Sequence, residues 1–238
     1  MKKLSLLLIV AGTVLGCQTA ERPKTTEPEV KTDTTTKTAE PAKTELVIPD
    51  EIKTEGYAFY GLDRKEPVKV ELIQPGQDKK TGELSFELKE VKNGKLYFNQ
   101  IYGGQISENF GATSELYADK SGIYGTAMLG KPIDEPQLEM PANVSSGKSW
   151  AMGKPLKTDS FTIDSMTNKI AGIESVTVPL GKFDALKMVS TAKLTQGTTK
   201  TSATLTAWMV KGIGMVKLII KTVDAQGKSQ QQEMRAVK

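Results

Sequence analysis

Residues 84–98 read LSFELKEVKNGKLYF and carry the clearest structural signal in the chain. From Leu84 to Leu88 apolar and polar side chains alternate, as they do along a strand with one buried face. The Asn93-Gly94 pair then interrupts the pattern, and a second apolar run begins at Leu96. Asn-Gly between two such runs is the strongest short-range signal for a β-hairpin. We therefore predict two antiparallel strands joined at Asn93-Gly94.

Similar turn signals occur on the carboxyl side of this hairpin. The segments 119–122, Gln196-Gly197 and Gln226-Gly227 each separate two runs that are rich in apolar and β-branched residues. From about residue 160 to 237 the predicted strands are joined by short turns, so consecutive strands are expected to be neighbours. The predicted fold class is all-β, with an antiparallel up-and-down meander that forms a curved sheet or half-barrel.

Glycine and proline cluster between Gly125 and Gly153. Such residues are typical of loops and turns, which predicts a long connection between two groups of hairpins. Within this connection, the segment 136–143 is the best candidate for a short helix.

The predicted strands of the meander are apolar on both faces. Leu186 and Val189, for example, lie on opposite faces of one strand. A sheet of this kind needs cover on both sides, or it holds an apolar ligand on its concave face. If the strands of residues 84–101 and 116–123 cover that face, the body closes and the ligand space is lost.

The amino terminus has the parts of a secretion signal. Met1 to Lys3 is basic, Leu4 to Val10 is apolar, and Val14-Leu15-Gly16-Cys17 follows. The apolar run is shorter than the roughly 20 residues that a membrane-spanning helix needs. The last four residues resemble the lipobox of bacterial lipoproteins. That resemblance implies removal of residues 1–16 and attachment of lipid, including diacylglycerol, to Cys17.

Two regions follow the lipidated cysteine. Residues 17–45 are dominated by Thr, Pro, Glu and Lys, and such a composition predicts a disordered tether because it buries too little apolar surface to fold. Residues 46–238 are predicted to form a single β-rich domain. Gln18 stands where Asp is the usual inner-membrane retention signal in enteric-type bacteria. By that analogy the expected location is the cell envelope, and the outer membrane if the organism has one.

The carboxyl half carries three further motifs. They are GKSW at 147–150, VPLGKFDALK at 178–187 and WMVKGIGMVK at 208–217. These motifs resemble a pattern in uncharacterised bacterial envelope lipoproteins, G-x-x-W, V-P-x-G-x-F-x-A and W-x-x-x-G-x-G-x-V-K. The resemblance implies a curved sheet similar to the half-barrels of lipoprotein carrier proteins, without an assigned activity.

Four side chains are candidates for ligand contact: Trp150, Phe183, Met188 and Trp208. The aromatic residues are large apolar bodies near strand ends, and methionine adapts to irregular shapes. Both residue types also fill ordinary cores. We expect core packing to be the commoner role for the aromatic residues and for the methionines between Met128 and Met234.

Composition excludes several kinds of chemistry. The chain has no histidine and one cysteine, which removes the Ser-His and Cys-His pairs and the commonest metal ligand. The net charge is only +4, and no basic run is interleaved with aromatic residues, so nucleic acid is not an expected partner. No phosphate loop, dinucleotide fingerprint or nucleophile elbow occurs. We expect no enzyme, no catalytic residue, no metal and no cofactor.

Two functions remain open from the sequence. In the first, the protein is held on the membrane through lipid on Cys17, and its β-domain binds an apolar or amphipathic ligand or an envelope protein. In the second, it is a structural or assembly module of the envelope with a closed core and no ligand. An open apolar groove distinguishes the first from the second.

Replacing Cys17 with Ser should abolish membrane attachment, because a hydroxyl does not replace the thiol and no other anchor is predicted. Detergent-phase partitioning measures this: the variant should move to the aqueous phase or remain an unprocessed precursor. Unchanged partitioning into the detergent phase would refute lipid attachment at Cys17.

Overall fold

The computed structural model describes residues 48–128, 131–158 and 160–238. The predicted signal peptide, Cys17 and the tether at 17–45 lie outside these residues. The helical elements are a 3-10 turn at Asp50–Ile52, α1 at Glu55–Tyr60 and α2 at Ser107–Phe110. The strands are β1 Val68–Ile73, β2 Lys80–Lys92, β3 Lys95–Gly104, β4 Thr113–Asp119, β5 Gly122–Met128, β6 Lys131–Pro141, β7 Ser149–Ala151, β8 Leu156–Lys157, β9 Thr162–Val178, β10 Gly181–Gln196, β11 Thr199–Val210, β12 Gly214–Asp224 and β13 Ser229–Ala236.

All 13 strands belong to one antiparallel sheet, which confirms the predicted fold class. Along the sheet the order is β6-β5-β4-β3-β2-β1-β13-β12-β11-β10-β9-β7, and β8 pairs with β9. The strands from β9 to β13 are each paired with the next, as the predicted meander requires. The two outermost strands, β6 and β7, are consecutive in the chain.

The first and last strands join the two halves of the sheet. Val70 of β1 pairs with Ala236 of β13, and Leu72 pairs with Met234. The strands of residues 84–101 and 116–123 therefore do not form a separate covering layer. They continue the same sheet, which curls so that its two arms cover each other.

The predicted hairpin at residues 84–98 is confirmed. β2 and β3 are joined at Asn93 and Gly94, which have φ angles of 51° and 68°. Positive φ at both central residues is the geometry that fits the right-handed twist of the flanking strands, and Asn-Gly adopts it at the lowest cost.

The prediction of a long connection between Gly125 and Gly153 is wrong. This region contains part of β5, all of β6 and all of β7. The prediction of a short helix at 136–143 is also wrong, because residues up to Pro141 belong to β6. Proline is tolerated here because β6 is an edge strand. On its open side no neighbouring strand needs the backbone N–H that proline lacks.

Helix α1 fills one end of the curled sheet. Thr54 caps it, since its Oγ1 accepts a hydrogen bond from the Tyr57 amide at 3.2 Å, and Gly61 ends it in the left-handed conformation. On one side the Gly56 amide donates to the Ala142 carbonyl just after β6. On the other side a Cβ at Gly214, where β12 begins, would lie 2.6 Å from the Tyr60 carbonyl oxygen. The helix thus contacts both arms of the sheet.

Two apolar clusters stabilise the body. The larger contains the buried residues of α1 and the inner face of most strands, including Tyr57, Leu96, Ile170 and Leu186. The smaller lies around β8 and the far ends of β9, β10 and β11, and includes Leu156 and Phe161. Within the described residues, no helix is both long enough and apolar enough to span a membrane.

Replacing Gly56 with Ala should lower the free energy of unfolding by about 1–3 kcal/mol, the usual cost of overpacking. The added Cβ would overlap the Pro141 carbonyl oxygen and lie 3.0 Å from Met140 Cγ, so α1 and the end of β6 would have to separate. Urea denaturation gives the value. Gly153→Ala is the control, because a Cβ there meets nothing within 4 Å and should change stability by less than about 0.5 kcal/mol. Equal stability of the two variants would contradict close packing of α1 against the end of β6.

Candidate functional site

The inner face of the curled sheet lines a half-open cavity of about 320 Å³. This volume lies in the range of small-molecule sites in proteins. Residues from both arms of the sheet, from α1 and from α2 line it. The apolar part of the lining comprises Leu84, Phe86, Phe110, Ala127, Ile133, Leu138, Met152, Leu156, Phe161, Met166, Met188, Leu205, Ala207, Met209, Met215, Leu218, Ile220 and Met234.

Methionine is concentrated on the cavity wall. Six of the nine methionines in the chain line it, whereas Met140 is fully buried in the core. Met209 and Met234 are also buried members of the larger core cluster, and the other four pack against the two clusters, so these six methionines take part in core packing, as expected, and line the cavity as well. Methionine has three rotatable bonds and a polarisable sulfur, so a wall rich in it can adapt to apolar ligands of different shape.

A polar group interrupts the apolar wall where α1 faces β3 and β6. The hydroxyl of Tyr60 donates a hydrogen bond to Oε2 of Glu139, and Gln100 and Tyr102 line the same region. Burial raises the pKa of the Glu139 carboxyl, and the hydrogen bond from Tyr60 opposes this effect in part. Burial and the neighbouring Glu139 raise the pKa of the Tyr60 hydroxyl well above its usual value, so it remains a donor.

A β-bulge turns Glu139 toward the cavity. Ile123 of β5 pairs with Met140, but the next residue, Tyr124, pairs with Leu138, so Glu139 is the extra residue between them. A bulge breaks the alternation of side chains and re-aims one of them. Room for the carboxylate comes from Gly125, because a Cβ at that position would overlap Glu139 Oε1.

A second polar pair lies on the opposite arm of the sheet. Ser190 of β10 donates through its hydroxyl to Oδ1 of Asn168 on β9 at 2.5 Å, and both residues are buried. Their register places them directly opposite each other on neighbouring strands. The cavity thus has an apolar middle and hydrogen-bonding groups on two sides.

Side-chain contacts connect the two edges of the sheet. No backbone ladder joins β6 to β7 in the described part of the chain. Instead Trp150 of β7 donates through Nε1 to the Leu138 carbonyl at 2.7 Å, and the Gly153 amide donates to Gln137 Oε1 at 3.2 Å. Lys154 also forms an ion pair with Glu135. We call this line of contacts, between residues 135–138 and 150–154, the seam.

The structure places the four predicted contact residues differently. Met188 lines the cavity, whereas Trp150 belongs to the seam and Phe183 is a half-buried residue packed against the larger core cluster. Trp208 lies between Ala207 and Met209, which both line the cavity, so its side chain projects from the opposite face of β11. Of the four, only Met188 is part of the cavity lining.

Trp208 has its own environment on the outer face of the sheet. Its Nε1 donates to Glu174 Oε1 at 2.7 Å, and the Nζ atoms of Lys187 and Lys217 lie 5.6 and 5.5 Å from the ring centroid. These contacts cover the indole with charged side chains. They are consistent with a stabilising role for a large aromatic residue at this position.

Sequence reasoning missed Tyr60 and Glu139. A signal existed for the first, since Thr54 and Gly61 are the cap residues that frame a short helix. No signal existed for the second, because a glutamate between Leu138 and Met140 is expected to face solvent. Only the paired strand reveals the bulge.

Comparison with known proteins agrees with the resemblance found in the sequence. The model of the DUF3108-like family matches residues 125–231, a range that includes all three carboxyl-half motifs but less than half of the chain. The predicted resemblance of the carboxyl half to an uncharacterised family is thereby confirmed. No curated protein matches this sequence.

Three solved structures are similar to this chain. A proposed lipoprotein from Parabacteroides distasonis has 11% identity and a TM-score of 0.46, with 75% of this chain and 96% of that chain covered. A proposed exported protein with a YmcC-like fold from Bacteroides fragilis has 11% identity, a TM-score of 0.42 and the same coverage. The hypothetical lipoprotein YmcC from Escherichia coli has 12% identity and a TM-score of 0.30, with 77% and 90% covered.

The buried carboxyl group should make stability depend on pH in a defined direction. Because the pKa of Glu139 is raised above its ordinary value of 4.5, the folded state holds this proton more tightly than the unfolded state does. Its contribution to stability is therefore greatest in acid and is lost as the pH rises from about 4.5 through the folded-state pKa. Glu139→Gln removes this titration, so the variant should gain stability over the wild type as pH rises.

Urea denaturation between pH 4 and pH 8 measures this difference, and Glu90→Gln controls for the loss of one exposed negative charge. The stability difference between Glu90→Gln and the wild type should show no such rise. A difference between Glu139→Gln and the wild type that is constant with pH would contradict burial of the Glu139 carboxyl.

Proposed function

We propose that this protein is a membrane-anchored envelope lipoprotein whose β-domain binds an amphipathic ligand in the cavity of the curled sheet. The observation that carries the proposal is the cavity itself, with a lining that is apolar except for a few convergent polar groups. That combination is typical of small-molecule sites. The proposed anchor is lipid on Cys17, and the proposed location is the outer membrane where the organism has one.

The composition of the wall supports a ligand over a merely imperfect core. Protein interiors are close-packed, and cavities larger than a few water molecules are rare in them. Here large and small apolar residues leave a continuous space instead of interdigitating across it. A structural module with a closed core has no need of such a space, so the cavity favours binding over the structural alternative.

The polar groups favour an amphipathic ligand over a pure hydrocarbon. Tyr60, Tyr102 and Glu139 lie at one wall and Asn168 and Ser190 at another, all among apolar neighbours. Buried polar groups are costly unless they find hydrogen-bond partners. A ligand with an apolar chain and a polar head can satisfy both parts of the lining.

The seam is the proposed entrance. It is the part of the wall that side chains hold together without a backbone ladder, and Leu138 and Met152 line the cavity directly behind it. Opening it breaks a few hydrogen bonds and one exposed ion pair, whereas opening the wall within the sheet separates paired strands. We propose no catalytic role for any of these residues.

Filling the cavity should abolish binding and leave the fold intact. Ala207 lies on the cavity wall, so Ala207→Phe places a ring in the ligand space, whereas Ala171→Phe adds the same ring to an exposed position on β9. With a polypeptide that starts at Leu46, fluorescence titration with N-phenyl-1-naphthylamine should show at least about tenfold weaker binding for Ala207→Phe only. Circular dichroism verifies that both variants are folded. Equal binding by the two variants, or none by the wild type, would count against the proposal.

A further inference from the structure

We infer that the cavity selects amphiphiles whose head group donates a hydrogen bond and carries no negative charge, such as a hydroxyl or an ammonium group. This inference rests on the proposed function and specifies the ligand class. It follows from the position of one carboxyl group, Glu139, and from the charges of the residues around it.

Glu139 presents a free acceptor to the cavity. Its Oε2 receives the hydrogen bond from Tyr60, while none of the hydrogen bonds found among the described residues ends on Oε1. Oε1 is not sealed in the protein, since the carboxylate lines the cavity beside Gly125. A ligand group placed there meets an oxygen that accepts a hydrogen bond.

No protein cation balances this carboxylate. In the described part of the chain no ion pair joins Glu139 to a lysine or an arginine, and burial is the main cause of its raised pKa. Arg64 lies in the neighbouring structure, but its Nη1 donates to the Ile213 carbonyl and its Nη2 to the Leu84 carbonyl at 2.6 Å. Its charge also lies over the Phe86 ring. Its two Nη atoms are therefore engaged elsewhere, and its Nε has no hydrogen-bond partner among the described residues.

The rest of the described lining carries no charge. Among the described residues that line the cavity, Glu139 is the one carboxylic acid, and neither Lys nor Arg is present. A carboxylate or phosphate head would stand beside a buried acid with no cation to offset the repulsion. An ammonium group would form a charge-assisted hydrogen bond with the ionised carboxylate. A hydroxyl can pair with either protonation state because it both donates and accepts.

Tyr60 is a positioning residue for this carboxylate. It belongs to α1, which is held between the two arms of the sheet, and its hydroxyl fixes the Oε2 atom. The pair leaves Oε1, which lies next to Gly125 of the cavity lining, for a ligand group. The preference for a head group therefore depends on a helix that spans both arms of the sheet.

Photo-crosslinking with three matched probes tests the inference. The probes are dodecylamine, dodecanol and dodecanoate, each with a diazirine at the same chain carbon. The full lipidated chain is placed in phosphatidylcholine nanodiscs at pH 8, and labelled peptides are quantified by mass spectrometry relative to labelling of the nanodisc scaffold. Amine and alcohol should label the peptides of β11 and β12 at least about tenfold more than dodecanoate does.

Glu139→Gln should reduce this preference to within about threefold, and Glu90→Gln, which alters an exposed acid on β2 away from the cavity and the seam, should retain it. If the Glu139 variant does not fold, the comparison of the three probes on the wild type still tests the head-group preference. Equal labelling by the three probes, or stronger labelling by dodecanoate, would overturn the head-group preference and leave the proposed ligand site standing. Cavity labelling by none of the probes would overturn both.

Discussion

A single antiparallel sheet must bury its inner face, and in this protein the sheet does so by curling until its two arms cover each other. The pairing of β1 with β13 makes this possible, because it joins the amino-terminal and carboxyl-terminal strands into one surface. Helix α1 then fills one end, at a distance that glycine alone permits at Gly56 and Gly214. The cavity, its polar groups and the seam all follow from this curl, since each is defined by which strands come to face each other.

The curl also explains why the interior is a space and not a packed core. The small residues Gly125, Ala127 and Ala207 lie on the wall among flexible methionines, and they do not reach across to the other arm. Apolar side chains that face a cavity lose contacts that close packing would provide, so the space weakens the fold unless a ligand fills it. A buried carboxyl group adds to this cost. Such features are typical of functional sites, where local stability is lower than the fold could achieve.

Local patterns predicted most of the strands. The hairpin at residues 84–98 and the turns at Gln196-Gly197 and Gln226-Gly227 follow from residue types that adopt the required backbone angles. Prediction failed between Gly125 and Gly153, because prolines that would break a central strand are tolerated in the edge strand β6. It failed again at Glu139, whose inward direction depends on a bulge against β5. Because the meander strands are apolar on both faces, the sequence predicted that either a ligand or a second layer must cover the inner face. Whether the second arm leaves a space there depends on tertiary packing, which the alternation of apolar and polar residues does not encode.

Native mass spectrometry of the full chain, extracted from the membranes of the cells that make it, is the most direct test of the claim that the cavity holds an amphipathic ligand. We expect a species heavier than the processed, lipidated chain by the mass of one amphiphile, which is retained through detergent exchange and released on unfolding. Only the mass of the lipidated chain, in preparations that retain the folded state, would contradict it.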